Sequence, residues 1–247
     1  MSGENVTLDA ENKKDAAVDQ MKHDLGAGIR LQSGQAVGRQ IQIPNSYIAL
    51  DLETTGLNPK QDKIIEIGAV RVEAGQETGR FHTMLDPHRE LETRITELTG
   101  ITGDMLENAP DLVDILPGFL DFCGELPLLG HRIIFDYSFL KRAAVNQGLT
   151  FEKDGIDTLT MCRRFMPAEE SKRLGAACAF YGLTQESAHR ALGDALDAHR
   201  LYQKLVEKHA GQAPEAFAAE PLIYKVKREQ PASKKQKEDL RYLLKYH

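Results

Sequence analysis

The chain has too few cysteines and too short apolar runs for a disulfide-bonded or membrane-spanning protein. It holds three cysteines in 247 residues, none in C-x-x-C spacing, which argues against a disulfide framework and for a reducing compartment. No apolar run approaches the roughly 20 residues of a membrane helix. The N-terminus is polar and lacks the apolar region of a signal peptide. We therefore expect a cytoplasmic protein with no membrane partner.

Positive charge is also scarce. The 31 Lys and Arg residues stand against 37 Asp and Glu residues, which leaves a formal net charge of -6. This balance argues against a protein that coats duplex nucleic acid through a broad basic face. It is compatible with an enzyme that grips a few nucleotides, because bound metal ions cancel carboxylate charge at a site.

Apolar periodicity divides the chain into a core and two appendages. Residues 1–45 are polar and rich in Gly, Gln and Ser towards their end, and we expect a weakly ordered leader or a docking arm. Residues 46–210 show a three-stranded antiparallel meander, with Gly75–Gly79 as its second connection, and then helices alternating with two short strands. This pattern predicts an α/β domain with a mixed sheet covered by helices. Residues 211–247 combine a linker, a weak edge-strand pattern and a basic helix opened by a capping box at Ser233–Gln236.

The segment Tyr47–Leu57 begins as a buried strand and then places two carboxylates two positions apart. Strand side chains alternate faces, so Asp51 and Glu53 share one face, about 7 Å apart along the strand. Adjacent anions on an apolar strand repel each other and lose hydration, which favours a hard divalent cation between them. The alternative is a strand that ends at Leu50, with both carboxylates solvated in a turn.

A third carboxylate falls on the apolar face of a predicted helix that follows the fourth strand. Asp136 shares that face with Phe139 and Leu140, at i+3 and i+4. A lone aspartate in an apolar stripe is costly unless it is paired. The alternative is that the helix begins at Tyr137 and Asp136 is its N-cap.

A fourth carboxylate, Asp194, aligns with Leu201 on the apolar stripe of the last core helix. His189 precedes it by five residues, about 140° around a helix, so the two side chains cannot share a helix face. We expect His189 on the loop before the helix, free to swing over a site, although an exposed loop histidine is the simpler alternative. Asp197 and His199 lie beside the stripe and are expected to face solvent.

These four carboxylates occupy positions that should be buried, which predicts a metal site. Oxygen ligands in this number suit Mg²⁺ or Mn²⁺. Zinc would favour clusters of Cys or His, and the sequence has none with ligand spacing.

The motifs, in their order and residue types, resemble those of the DEDDh 3′–5′ exonucleases, which have a ribonuclease H-like fold. Within that family they are most similar to the proofreading epsilon subunit of bacterial DNA polymerase III and to the exonuclease region of PolC-type polymerases. The resemblance covers about residues 46–208, and one departure is Arg132, where relatives usually carry Asn. The segments that carry it are 49–57, 95–102, 131–140, 157–159 and 188–195.

The resemblance implies a five-stranded sheet in the order 3-2-1-4-5, with the first strand central. It implies that the four carboxylates hold two divalent ions, Mg²⁺ or Mn²⁺, with Asp51 bridging them, and that His189 is the general base. The implied reaction releases 5′-nucleoside monophosphates from the 3′ end of single-stranded or frayed DNA, in proofreading or repair. The implied substrate contacts are Thr54, Thr55, Gly56, Leu57, Leu98, Thr99, His131 and Phe135.

Several alternatives stay open. Exonucleases that trim RNA 3′ ends share these motifs, and the sequence has no clear reader of the 2′-hydroxyl, although its substrate loops favour DNA. An inactive nucleic-acid-binding or scaffold module would not need four buried carboxylates. Phe135 fits core packing as well as base stacking. The two appendages are candidates for docking a polymerase or repair partner.

Overall fold

The computed structural model describes residues 42–185, 189–228 and 233–246, so the predicted appendage 1–45 lies almost wholly outside the described residues. Its six strands are β1 (Tyr47–Thr54), β2 (Ile64–Glu73), β3 (Gln76–Met84), β4 (Leu128–Gly130), β5 (Asp154–Asp157) and β6 (Glu220–Pro221). They form one sheet in the order β3-β2-β1-β4-β5-β6. β1 is antiparallel to β2 and parallel to β4. The predicted mixed sheet is confirmed, with one short strand added at its edge.

Helices cover both faces of this sheet. They are α1 (Thr93–Thr99), α2 (Gly103–Leu106), α3 (Leu112–Cys123), α4 (Ile134–Gln147), α5 (Thr158–Phe165), α6 (Leu174–Phe180), α7 (Ala191–His209) and α8 (Lys234–Tyr246). One apolar cluster joins α3 and α4 to the face of β1 that carries Ile48 and Leu50. The other joins α5, α6 and α7 to the face that carries Tyr47 and Ala49. Within the described part of the chain, none of these helices is both long and apolar enough to cross a membrane.

The turn between β2 and β3 is tighter than the sequence predicts. The expected connection at Gly75–Gly79 is wrong, because only Ala74 and Gly75 separate the strands. Both have positive φ, 50° and 79°, as a type I′ turn requires. The strand pairing therefore begins at once, with Glu73 opposite Gln76.

Core packing continues past the predicted boundary at residue 210. Phe217 is fully buried and joins the cluster around α7. Leu222 and Tyr224 pack against the cluster of α3 and α4, and the Leu222 N–H donates to the Lys153 carbonyl at 2.9 Å. The edge strand expected at residues 222–227 is wrong, because the strand that pairs with β5 comes earlier and consists of Glu220–Pro221.

Helix α8 begins with the predicted capping box. The Gln236 N–H donates to Ser233 Oγ at 3.2 Å, and the Ser233 N–H donates to Gln236 Oε1 at 2.8 Å. Its leucines are exposed rather than packed, as Leu244 shows with 74% of its surface accessible.

Candidate active site

Three carboxylates from two elements converge at the end of β1. One oxygen each from Asp51, Glu53 and Asp194 lies within 4.8 Å of the others. β1 continues through both acids to Thr54, so the alternative of a strand that ends at Leu50 is wrong. Alternation along β1 turns Asp51 and Glu53 towards the face that packs on α7, whose first turn carries Asp194.

Asp136 lies beside these three carboxylates and is 4% exposed. It belongs to the first turn of α4, which begins at Ile134, so it is not the N-cap of that helix. The registered pairing of β4 with β1 ends at Ala49. Further along β1, the Leu52 N–H donates to Asp136 Oδ1 at 3.0 Å. This bond ties Asp136 to the backbone between Asp51 and Glu53.

Burial, together with repulsion from neighbouring carboxylates, raises the pKa of every one of these acids. The pKa of Asp51 lies well above its ordinary value because of burial first, and then because of the charges of Asp136 and Glu53. Burial is also the largest cause that raises the pKa of Asp194 to about 6, of Glu53 to about 7 and of Asp136 to about 8. Every cause that acts on Asp51 has the same sign. The site therefore carries an excess of negative charge.

Helix α7 reaches these acids because β2 has no side chain at Gly68. A Cβ at Gly68 would lie 2.1 Å from the backbone of Ala191 and Leu192. Gly68 is the β2 partner of Asp51, so the close approach sets the first turn of α7 over the acidic end of β1. Asp194 follows in that turn.

His189 is exposed and lies before α7, as expected. Its backbone adopts a positive φ of 62°, and its N–H donates to Asp194 Oδ2 at 3.1 Å. The charge of the imidazole acts to lower the pKa of Asp194, so the ring lies within electrostatic reach of the acids. Ala188, the residue before it in the motif, is outside the described residues.

Glu66, which sequence reasoning did not single out, lies directly behind the site. It is opposite Glu53 in the sheet and fully buried. Burial opposes its ionisation, but hydrogen bonds from Arg190, His82 and the Ala191 N–H outweigh that effect and lower its pKa. The available signal was a lone acid in the aliphatic run of β2.

Asp197 and His199 are buried, so the expectation that they face solvent is wrong. They are 3% and 9% exposed. His199 Nδ1 lies 3.0 Å from Tyr47 Oη, and burial lowers the pKa of His199. The reason is that α7 packs against the sheet and also against α6, so it buries more than one stripe.

Some of the predicted substrate residues have exposed side chains, and others have side chains that hydrogen-bond within the protein. Leu57 and Leu98 are 80% and 57% exposed. In contrast, Thr54 Oγ1 donates to the Gly56 carbonyl at 2.7 Å, Thr55 Oγ1 accepts the Lys63 N–H at 3.0 Å, and Thr99 Oγ1 donates to the Ile95 carbonyl at 2.9 Å.

His131, Phe135 and Arg132 surround the start of α4. His131 hydrogen-bonds Thr158 Oγ1 at 2.9 Å and the Lys172 carbonyl at 2.6 Å, so both ring nitrogens are engaged. Burial lowers its pKa. Phe135 is partly buried, with its ring 5.1 Å from that of Phe139. Arg132 has a positive φ of 79°, and its N–H donates to Asp157 Oδ1 at 2.9 Å.

A family model described as Exonuclease (RNase_T) matches residues 48–202, the span that holds the four acids and His189. The chain belongs to this exonuclease family. PolC-type DNA polymerase III of Clostridium perfringens is 35% identical to this exonuclease chain over 158 residues. The same protein of Thermotoga maritima is 38% identical over 163 residues. These matches cover 64% and 66% of the chain but only 11% and 12% of the relatives. The resemblance drawn from the motifs is confirmed.

Solved structures of other exonucleases share the fold. Exonuclease X in complex with 5′ overhanging duplex DNA aligns with a TM-score of 0.54 and 23% identity, covering 70% of this chain and 96% of that one. Escherichia coli exonuclease I in complex with a dT13 oligonucleotide aligns with a TM-score of 0.60 and 17% identity, covering 70% and 43%. These alignments support the ribonuclease H-like architecture.

Proposed function

We propose that this chain is a metal-dependent 3′–5′ exonuclease that releases 5′-nucleoside monophosphates from single-stranded or frayed DNA ends. One observation carries the proposal: one oxygen each from Asp51, Glu53 and Asp194 lies within 4.8 Å of the others, in a site where neighbouring carboxylates raise the pKa of Asp51. Membership of the exonuclease family supports the reaction class. Exonuclease X and Escherichia coli exonuclease I are both solved in complex with DNA, which favours DNA over RNA as the substrate.

A hard divalent cation fits this group of ligands. The candidate ligand atoms are carboxylate oxygens, which Mg²⁺ and Mn²⁺ prefer. Asp51, Glu53 and Asp194, with Asp136 beside them, would hold two such ions, Asp51 contributing to both. When bound, the ions lower the pKa of a water and neutralise charge on the phosphate.

His189 is proposed as the general base. Imidazole commonly takes a proton from an attacking water, and His189 is exposed beside Asp194. Its N–H bond to Asp194 links its backbone to the acidic group, while the ring stays accessible from solvent.

The exposed side chains of Leu57 and Leu98 are proposed to contact the terminal bases. Apolar contacts of this kind do not depend on base identity, as a proofreading or repair enzyme requires. The hydrogen-bonded side chains of Thr54 and Thr55 are proposed to shape the turn that presents Leu57, and that of Thr99 to fix the end of α1 that presents Leu98. The same role is proposed for Gly56, where a Cβ would meet the Asp62 side chain at 2.4 Å.

The biological setting is proposed from the relatives. Because the chain spans about a tenth of the PolC-type proteins it matches, we propose that it proofreads or repairs DNA together with a polymerase or repair partner. Residues 1–45 or 211–247 would dock that partner. A cytoplasmic location is also proposed, supported by three free, buried cysteines.

The test is digestion of end-labelled oligonucleotides with Mg²⁺, Mn²⁺ or EDTA. The wild-type protein should shorten 5′-labelled DNA one nucleotide at a time. Asp51→Asn should reduce the rate by at least about 100-fold, because it removes a carboxylate that would hold the ions. Asp111→Asn is the matched control, since Asp111, Asp86 and His88 form a second group of possible ligands, outside the strands and helices that carry the four acids. Activity retained in Asp51→Asn or in EDTA would refute the proposal, and faster digestion of RNA would move the substrate to RNA.

A further inference from the structure

Glu66 is a buried carboxylate that the proposed chemistry does not use. It lies on β2 opposite Glu53, and its charge acts to raise the pKa of Asp51, Glu53 and Asp194. A fifth negative charge behind four others opposes formation of the metal-free site. A neutral side chain would avoid that cost, which indicates that the contacts of the charged carboxylate serve a function.

Two of the three hydrogen-bond partners of Glu66, Arg190 and Ala191, lie at one junction of the chain. Arg190 Nη2 donates to Glu66 Oε1 at 2.9 Å, and Arg190 Nε lies 3.3 Å from both carboxylate oxygens. The Ala191 N–H donates to Glu66 Oε2 at 3.1 Å. His82 Nε2, from β3, lies 2.6 Å from Glu66 Oε1. Glu66 thus accepts hydrogen bonds from two consecutive residues, Arg190 and Ala191, where the chain enters α7.

That junction connects His189 to Asp194. His189 immediately precedes Arg190, and it holds a positive φ that non-glycine residues rarely adopt. Its N–H bond to Asp194 Oδ2 closes the loop from the helix side. Glu66 anchors the same loop from the sheet side, through a residue with an extended backbone.

We propose that Glu66 is a positioning residue that acts through Arg190 and the Ala191 N–H to hold His189 and Asp194 over the acids of β1. The inference rests on the proposed function for its catalytic consequence. Glu66 does not touch the substrate; it fixes the direction in which the chain leaves His189 and the place where α7 begins.

Steady-state kinetics on a single-stranded DNA oligonucleotide test the proposal. Glu66→Gln puts an amide NH₂ among the donors of Arg190, Ala191 and His82, so kcat should fall about 10- to 100-fold. KM should stay within about twofold, because no substrate contact is lost. The apparent affinity for Mn²⁺ should also fall, since Asp194 is displaced. The amide resonance of His189 should shift in NMR spectra.

Two further variants separate positioning from a general loss of structure. Arg190→Lys keeps the charge but loses the forked contact, and the side chain is 37% exposed, so this variant should fold and lose kcat in the same direction. The double variant Glu66→Gln/Arg190→Lys should lose no more than the worse single variant, because the two residues act as a unit. Glu77→Gln, which removes an ion pair with Arg80 on the neighbouring strand, should leave kcat unchanged.

The outcomes distinguish this inference from the proposed function. Folded Glu66→Gln with kcat within about twofold of wild type, or an equal loss in Glu77→Gln, would overturn the positioning role. If the wild-type protein hydrolyses no nucleic acid, the proposed function fails, but Mn²⁺ affinity and the His189 amide still test the anchor. Both quantities unchanged in Glu66→Gln would overturn it.

Discussion

At the scale of single residues, the site depends on acids whose ionisation is opposed by burial. The pKa values of Asp194, Glu53 and Asp136 are raised to about 6, 7 and 8, from ordinary values of 3.8 for Asp and 4.5 for Glu. A carboxyl whose pKa rises on folding contributes stability at low pH and loses that contribution as pH rises through the folded pKa. Protons and metal ions therefore compete for the same group of oxygens.

Competition between protons and metal ions should make the melting temperature depend on pH. Without metal, the melting temperature should fall between about pH 4 and pH 8 as the three acids ionise. The increase in melting temperature on adding Mg²⁺ should grow over the same interval, because the ion binds the ionised carboxylates. Thermal unfolding with Mg²⁺ or EDTA at several pH values measures both trends. A larger Mg²⁺ effect at pH 5 than at pH 8 would contradict the assignment, and Asp194→Asn should flatten the pH dependence.

The sequence predicted some of these residues and not others for a physical reason. Alternation along β1 and helical periodicity are local properties, so Asp51 and Asp194 could be found from their own neighbours. The role of Glu66 depends on Arg190, which is distant in sequence and comes close only through the fold. The burial of His199 likewise depends on Tyr47, a residue of another element.

At the scale of elements, the site is a contact between β1, β2 and the first turn of α7. β1 supplies two acids, and Gly68 of β2 allows the helix backbone to approach. Sequence patterns gave the strands and helices but could not reveal this contact, since a glycine in a strand has no pattern that names its partner. The tight turn at Ala74 and Gly75 was missed because alanine rarely adopts a positive φ.

Gly68→Ala should separate the two elements. The added Cβ would lie 2.1 Å from the Ala191 backbone, so we expect a loss of about 1–3 kcal/mol in the free energy of unfolding from overpacking. The loss of nuclease activity should be larger than the loss of folded protein explains, because Asp194 moves with α7. Urea unfolding and oligonucleotide digestion measure the two effects.

Gly79→Ala, on the next strand, is the control for this variant. A Cβ there would make only an ordinary 3.4 Å contact with Phe122, and both stability and activity should stay near wild type. If Gly68→Ala were as active as Gly79→Ala, the close approach would not matter for the site.

At the scale of the whole molecule, residues that follow α7 complete the packing of the core. Phe217, Leu222 and Tyr224 pack on the two apolar clusters, and β6 adds to the edge of the sheet. Periodicity predicted a linker here because the segment is short, rich in Ala and Pro, and irregular. Its burial comes from these three side chains, whose contacts with the two clusters are made by the fold and leave no periodic pattern in the sequence.

A chain that ends at residue 210 should therefore be much less stable than one that ends at residue 228. Loss of buried Phe217 alone should cost about 3–5 kcal/mol, and the missing Leu222 and Tyr224 add to this. The chain that ends at residue 228 lacks only α8 and the residues around it, and it should keep the melting temperature of the full chain and its rate on short oligonucleotides. Equal melting temperatures for the two truncations would show that residues 211–228 are an appendage.

The distance in sequence between β1 and α7 also affects the protein while it is being synthesised. Asp51 and Glu53 leave the ribosome before Asp194, with about 140 residues of chain between them. A nascent or stalled chain thus carries two acids that cannot cut anything. We therefore expect nuclease activity to arise only once α7 has packed on β1 and brought Asp194 to the two acids of β1.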